Sequence, residues 1–274
     1  MNKYTNNDNI FYGVAMDNEQ QDKLKFFIKT GIAVLSFLVL MVLGAKYIST
    51  AVTVTNSANS ERTPINCVDQ KEKKVALSFD AAYGNEDTEE ILETLALHNI
   101  KATFFLTGGW VSEYPADVKA IAAAGHDLGN HSDNHKHMSQ LTKEECKAEI
   151  LKTHNKVIEL TGIEMNLFRP PYDDYNNSLI ETTDDLGYYC IEWDVDSLDW
   201  KDYGVRSIVD SVLKNEHLGN GSIILFHNGS KYTEDALEDV INRLEDKGYK
   251  IVPISELLYT GDYYLDEAGR QFKK

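Results

Sequence analysis

The sequence predicts an α/β domain of parallel strands, preceded by one N-terminal transmembrane helix. Three observations predict it. Short apolar runs alternate with helical stripes from residue 73 onward. One uncharged apolar run stands near the N-terminus. Acid, imidazole and guanidinium side chains gather just after the apolar runs. Strands alternating with amphipathic helices imply parallel pairing through right-handed crossovers. About six or seven such units suit a barrel or a doubly wound sheet, and both build their sites at strand C-termini.

The strands and helices follow in order. Lys74–Phe79 is a short apolar run ending in acid, strand-like in length. Asp87-x-x-Glu90 has the spacing of a capping box ahead of the stripe Ile91, Leu92, Leu95. Ala102–Leu106 is the next strand, closed by Gly108-Gly109. Val118, Ile121 and Ala122 mark a helix that Gly125 ends. A second capping box, Thr142-x-x-Glu145, opens a helix carrying Cys146, Ile150, Leu151, Val157 and Ile158, and Gly162 stops it. A helix ending at Gly187, a strand over 188–193, a helix on Val205, Ile208, Val209 and Val212, a buried strand over 222–226, a helix stopped at Gly248 and a last strand over 249–252 complete the alternation. Gly108-Gly109 lacks dinucleotide or P-loop spacing, so nothing points to a nucleotide cofactor.

The N-terminal part is of another kind. Residues 1–25 are polar and mixed in charge. Gly31–Ala45 then carries no charge, and Phe26, Phe27 and Ile28 extend it upstream. The run is shorter than the ~20 residues of a spanning helix, but Lys46 can snorkel and lengthen the span. Lys23, Lys25 and Lys29 precede it and Lys46 alone follows closely, which places the N-terminus in the cytoplasm and the rest outside. A cleaved signal peptide is the rival; a pre-core segment this long favours an uncleaved anchor. The expected organisation is a cytoplasmic segment 1–25, an anchor 26–48, a polar extracytoplasmic linker 49–72, a catalytic domain 73–258 and a tail 259–274. The expected location is therefore the cell membrane, single-pass, with the C-terminal domain outside.

Composition narrows the function. The net charge of −17 argues against nucleic acid as a partner. Cys67, Cys146 and Cys190 have no metal-ligand spacing and read as small hydrophobes or free thiols, with a Cys146–Cys190 disulfide left open.

Polar residues collect at five strand ends. Asp80 follows the first strand. His131-Ser132-Asp133-Asn134-His135 follows the Asp127–Gly129 segment. Arg169-Pro170-Pro171-Tyr172 follows Leu167-Phe168. Asp194 to Trp200 follows the 188–193 strand, and His227 follows Ser222–Phe226. Five such ends on one rim of a β/α fold mark an active site. His131 and His135 are four apart, so on a helical turn both rings face one side and can bind one divalent cation. Zinc suits imidazole best, with cobalt or nickel as alternatives.

Ser78-Phe79-Asp80, His131-Ser132-x-x-His135, Arg169-Pro170-Pro171-Tyr172, Asp196-Ser197-x-Asp199-Trp200 and Leu225-Phe226-His227 together resemble the NodB-type polysaccharide deacetylases, carbohydrate esterase family four. The resemblance covers about residues 73–258 and is nearest to the membrane-anchored branch of spore-forming Gram-positive bacteria. It implies a distorted (β/α) barrel of about seven parallel strands. It also implies metal-dependent removal of N-acetyl groups from cell-wall glycan, with peptidoglycan GlcNAc or MurNAc as substrate. Residue by residue, it implies Asp80 as general base, His131 and His135 as metal ligands and Arg169 as partner of the base. The backbone N–H of Tyr172 becomes an oxyanion donor, and His227 the general acid, tuned by Asp199 or Asp196, with Asp199 preferred. Trp200 and Tyr83, with Asn228, would wall the groove.

One position departs from that pattern. The family places a second aspartate after the base as a third metal ligand, and here the pair is Asp80-Ala81. Asp87 is the nearest substitute, though it already suits a helix N-cap; His137 is a weaker one, and Asp133 is expected to point away. Ala81 motivates a second reading, a glycan-binding relative that has lost its metal. Intact Asp80, Arg169 and His227 oppose it. A two-carboxylate glycosidase leaves the histidine pair without a role.

Overall fold

The architecture comes from a computed structural model that describes residues 62–274 and, from the N-terminal part, Asn18, Asp22, Lys23 and Lys25. The expected anchor 26–48 and the first part of the linker lie outside the described residues. Among the described residues no helix is long and apolar enough to cross a membrane.

In chain order the elements are β1 (Cys67–Val68), β2 (Lys74–Ala81), α1 (Thr88–Leu97), β3 (Thr103–Leu106), α2 (Gly108–Glu113), α3 (Pro115–Ala123), β4 (Asp127–Asn130) and α4 (Lys143–Thr161). They continue as β5 (Leu167–Phe168), α5 (Asn177–Asp185), β6 (Tyr189–Cys190), β7 (Val195–Asp196), α6 (Val205–Leu213), β8 (Ile223–His227), α7 (Thr233–Asp246), β9 (Lys250–Ile251), α8 (Ile254–Leu257), β10 (Tyr263–Leu265) and β11 (Arg270–Lys273). The main sheet runs β6-β5-β4-β3-β2-β8-β7, and β9 pairs with the start of β2. Every pairing in it is parallel. This is the expected distorted barrel, seven strands in sequence with an unpaired seam between β6 and β7.

The pleat of β2 sorts its side chains. Val75, Leu77, Phe79 and Ala81 pack into the layer between sheet and helices, while Ala76 joins an inner cluster with Phe105, Leu167, Ile191 and Ile223. Alternation puts Ser78 and Asp80 on the inner face with Ala76. Ala81 therefore belongs to the outer, apolar layer, and this bears on the site.

Two helix expectations divide. Thr142 accepts from the Glu145 amide and Glu145 caps back, so that capping box forms, and Gly162 ends α4 at φ 73. The Asp87 box does not form: Asp87 precedes α1 without a side-chain cap bond. Its carboxylate instead accepts the Gly229 amide at 2.8 Å, because the loop after β8, the strand paired with β2, reaches it.

The segments read as linker and tail both contribute strands. β11 pairs in parallel with β1 and antiparallel with β10, forming a three-stranded sheet. The three cysteines are buried and free, so the open disulfide between Cys146 and Cys190 is not present.

Candidate active site

Register builds the floor of the site. Asp80 on β2 lies directly beside His227 on β8. Asn130 of β4 pairs with Phe168 of β5, so His131 and Arg169 emerge side by side one residue later. Asp80, His131, His135, Tyr172, Asp196, Trp200, Tyr83 and His227 then line one groove of about 620 Å³, with Trp193, Asp173, Asn228 and Ser230.

Arg169 is fully buried. It donates to Asp80 Oδ1 at 2.7 Å, to Ser78 Oγ at 3.0 Å and to the Glu192 carbonyl at 3.1 Å. Its guanidinium lies over the Phe105 ring, 4.1 Å from the centroid, and over the Trp193 ring at 5.5 Å. A buried charge needs this degree of pairing. Burial pushes the Asp80 carboxyl up, but Arg169, His131 and His227 outweigh it, and the net shift is downward. Asp80 is therefore held ionised. Burial drives the neighbouring Glu192 carboxyl well above its usual range despite Arg169.

His227 is set from behind. Its Nδ1 lies 2.8 Å from Asp199 Oδ1, and its backbone N–H donates to Asp199 Oδ2 at 2.7 Å. Asp199 also accepts from the Trp200 amide and from Thr233 Oγ1, both at 2.8 Å. Nδ1 thus carries the proton toward Asp199, and Nε2 is left for the groove. Burial pulls the His227 pKa down, but the Asp199 bond and charge, with Asp80 and Asp196, reverse this to a net rise. Of the two acids left open for His227, Asp199 makes the contact. Asp196 lines the groove and accepts the Leu198 amide.

The histidine pair converges by another route than expected. Residues 131–137 form no helix. Ser132 (φ 65) and His135 (φ 51) adopt left-handed backbone instead, which swings the second ring back onto the first. The two Nε2 atoms are 3.2 Å apart. His131 Nδ1 donates to the Arg169 carbonyl at 2.8 Å, leaving its Nε2 lone pair toward His135. Burial lowers both rings, His135 to about 4, with the His131 charge adding to the effect. Unprotonated imidazoles are the form that binds metal.

Glu149 of α4 holds this loop in place. It is buried and accepts the Asn134 amide at 2.8 Å and Lys136 Nζ at 2.7 Å. It thereby clamps both residues that flank His135. Its distance in sequence hid this role. Asp133 points away to Lys156 at 2.6 Å. His137 stacks on the Tyr172 ring at 4.4 Å with Nδ1 3.4 Å from Asp174, so it is a groove support and not a ligand.

The donor set fits a divalent cation in part. With metal–nitrogen bonds of about 2.1 Å, nitrogens 3.2 Å apart subtend about 100° at the cation. Among the described residues no group of three or more His, Cys, Asp or Glu side chains gathers around such a point. Ala81 is buried against the outer core and its carbonyl accepts the Thr107 amide at 3.1 Å. Asp87 is corrected as a third ligand. It is bonded to Gly229 and does not line the groove. Burial raises its carboxyl to about 6.

Comparison with known proteins bears on the whole arrangement. A family model described as polysaccharide deacetylase matches residues 68–191. The chain is 33% identical over 199 residues to the peptidoglycan-N-acetylmuramic acid deacetylase PdaA of Bacillus subtilis, covering 71% of this chain and 75% of that one. It is 34% identical over 206 residues to the peptidoglycan-N-acetylglucosamine deacetylase PgdA of Listeria monocytogenes, covering 74% of this chain. The chain spans only 43% of that Listeria protein's length. Among solved structures, BA3943 of Bacillus anthracis superposes with a TM-score of 0.69 and 34% identity, covering 72% of this chain and 69% of that one. BA3943 is described as a CE4 family pseudoenzyme.

Proposed function

The chain belongs to the polysaccharide deacetylase family, carbohydrate esterase family four, and on that premise we propose that it hydrolyses N-acetyl groups of a cell-wall amino sugar polymer. Peptidoglycan GlcNAc or MurNAc is the substrate, and acetate and a free amine are the products. The observation that carries this reading is the side-by-side placement of Asp80 and His227, each with its own buried partner, Arg169 and Asp199.

The residues divide the work. Asp80, kept ionised by Arg169, takes a proton from a water whose oxygen attacks the acetamide carbonyl carbon. The Tyr172 amide, presented by a backbone at φ 64, donates to the developing oxyanion. His227 gives a proton to the amine nitrogen as the C–N bond breaks, and acetate leaves. Trp200, Tyr172 and Tyr83 are exposed aromatic surfaces on which sugar rings can lie. His131 and His135 would hold a divalent cation, zinc first and cobalt or nickel as alternatives, whose Lewis acidity would polarise the carbonyl. The uncharged run Gly31–Ala45 and the lysines before it support a single-pass anchor over 26–48 with this domain outside the cytoplasm.

A second reading rests on Ala81 and on the likeness to the BA3943 pseudoenzyme: a glycan-binding relative without activity. Acetate release separates the two. The full-length chain, stripped by chelator and then given zinc, cobalt or nickel, is assayed on peptidoglycan and chito-oligosaccharide. Metal-restored release that Asp80→Asn abolishes, a loss of about 10³-fold or more, is expected. Silence from folded protein that still binds glycan would establish the second reading.

A further inference from the structure

Threonine at a helix start commonly serves as a cap. Thr233, the first residue of α7, does not. Tyr232 stands in the capping position and makes no side-chain cap bond. The Thr233 hydroxyl instead leaves its own helix and donates to Asp199 Oδ2 at 2.8 Å, across 34 residues of sequence. Both side chains are fully buried. Ala236, Leu237, Val240, Ile241 and Leu244 sink α7 into the core, so the hydroxyl hangs from a rigid element.

The bonds on Asp199 divide by oxygen. Oδ1 accepts from His227 Nδ1 and from the Trp200 amide, one residue away in sequence. Oδ2 accepts from the His227 amide and from Thr233. Among the described residues, Thr233 is the one side chain besides His227 that bonds this carboxylate. The terminal torsion of an aspartate has broad minima, so its hydrogen bonds decide how the carboxylate is turned. Without Thr233, Oδ2 would be held by nothing but the segment that Asp199 itself has to orient.

We propose that Thr233 is a positioning residue for the general acid: its hydroxyl fixes the rotation of the Asp199 carboxylate, and through it the plane and tautomer of the His227 ring. The inference rests on the deacetylase reading for the role of His227 and deepens it. Thr233 does not line the groove, so it acts on the proton donor and not on the sugar. A proton donor turned out of line costs rate at unchanged substrate affinity.

Full-length Thr233→Val, Thr233→Ser and Thr233→Ala are compared with wild type in two measurements. The first is acetate release from chitotetraose in the presence of zinc. Val keeps the shape and loses the hydroxyl, and kcat is expected to fall about tenfold at unchanged KM, the scale of one hydrogen bond to a charged group. Ser keeps the hydroxyl and should hold kcat within about threefold of wild type. The second is the NMR resonance of the His227 Nδ1 proton, assigned by its loss in His227→Gln, which needs no turnover. A charge-assisted bond to Asp199 places it at low field in wild type and in the Ser variant. In the Val variant it is expected to move upfield or vanish through exchange. Ala carries the same expectation as Val and serves if the Val variant fails to fold.

No low-field resonance in wild type, an unmoved resonance in the Val and Ala variants, or an unchanged kcat in active enzyme overturns the inference. A Ser variant as impaired as Val overturns it too, since packing of the methyl group would then be the cause. So does a change confined to KM. A resonance that moves in Val and stays in Ser, in protein that releases no acetate, keeps the inference and removes the deacetylase reading instead.

Discussion

The two sides of the groove are built differently. On one, His227 stands on the end of a regular strand. Asp199 behind it takes four bonds, two of them from His227 itself. On the other, His131 and His135 stand on a loop without regular structure, bent by left-handed residues and clamped at long range by Glu149. The first side is completed by the protein's own groups. The second leaves an imidazole lone pair facing another imidazole and puts an alanine where a third ligand is expected. A side completed from within tolerates changes in solution conditions, and a side that needs a cation depends on what surrounds it.

The sharpest break falls on the complete side. Asp199→Asn removes the charge that raises His227 while keeping the shape. Acetate release is expected to fall about 10²-fold at neutral pH. The pH profile adds a second readout. A general acid works while protonated, so activity falls as pH rises through the His227 pKa. Burial lowers that pKa, and Asp199, joined by Asp80 and Asp196, more than restores it. Without the charge the alkaline limb moves to lower pH. An unmoved limb would mean that His227 is not the group being titrated.

A smaller break falls on the other side. Glu149 touches no cation site, yet it fixes both neighbours of His135. Glu149→Leu should weaken zinc or cobalt binding about tenfold, in line with other supports of metal ligands. Calorimetry or the visible band of bound cobalt reads this without any turnover. Unchanged affinity would show that His135 keeps its left-handed geometry unaided.

These long-range contacts also explain what could be read from sequence. The strand ends were legible, because a short apolar run followed by Asp80, Arg169 or His227 needs only local pattern. The choice of Asp199 over Asp196 needed coordinates, since both acids follow the same strand. The histidine spacing was legible, but its helix was not: Ser132 and His135 reach left-handed backbone under bonds from Asn130, Glu149 and Ser132 Oγ. The Asp87 box failed for a like reason, a tertiary amide outcompeting the local one. The tyrosine-rich end read only as polar, because β11 pairs with β1 some two hundred residues away.

The smallest expected effect tests why the two sides differ. Ala81 faces the outer layer with Phe79, not the inner face with Asp80. Ala81→Asp therefore sets a carboxylate against apolar neighbours unless it turns toward the imidazoles. Burying it should cost about 1–2 kcal/mol in metal-free protein. That corresponds to a fall in Tm of about 2–8 °C for a domain of this size. Saturating zinc should recover the loss and raise Tm above the zinc-bound wild type, because the variant offers one more ligand to the folded state alone. A lowered Tm that zinc leaves untouched would mean that strand β2 holds position 81 outward, and that the imidazole side works with two protein ligands.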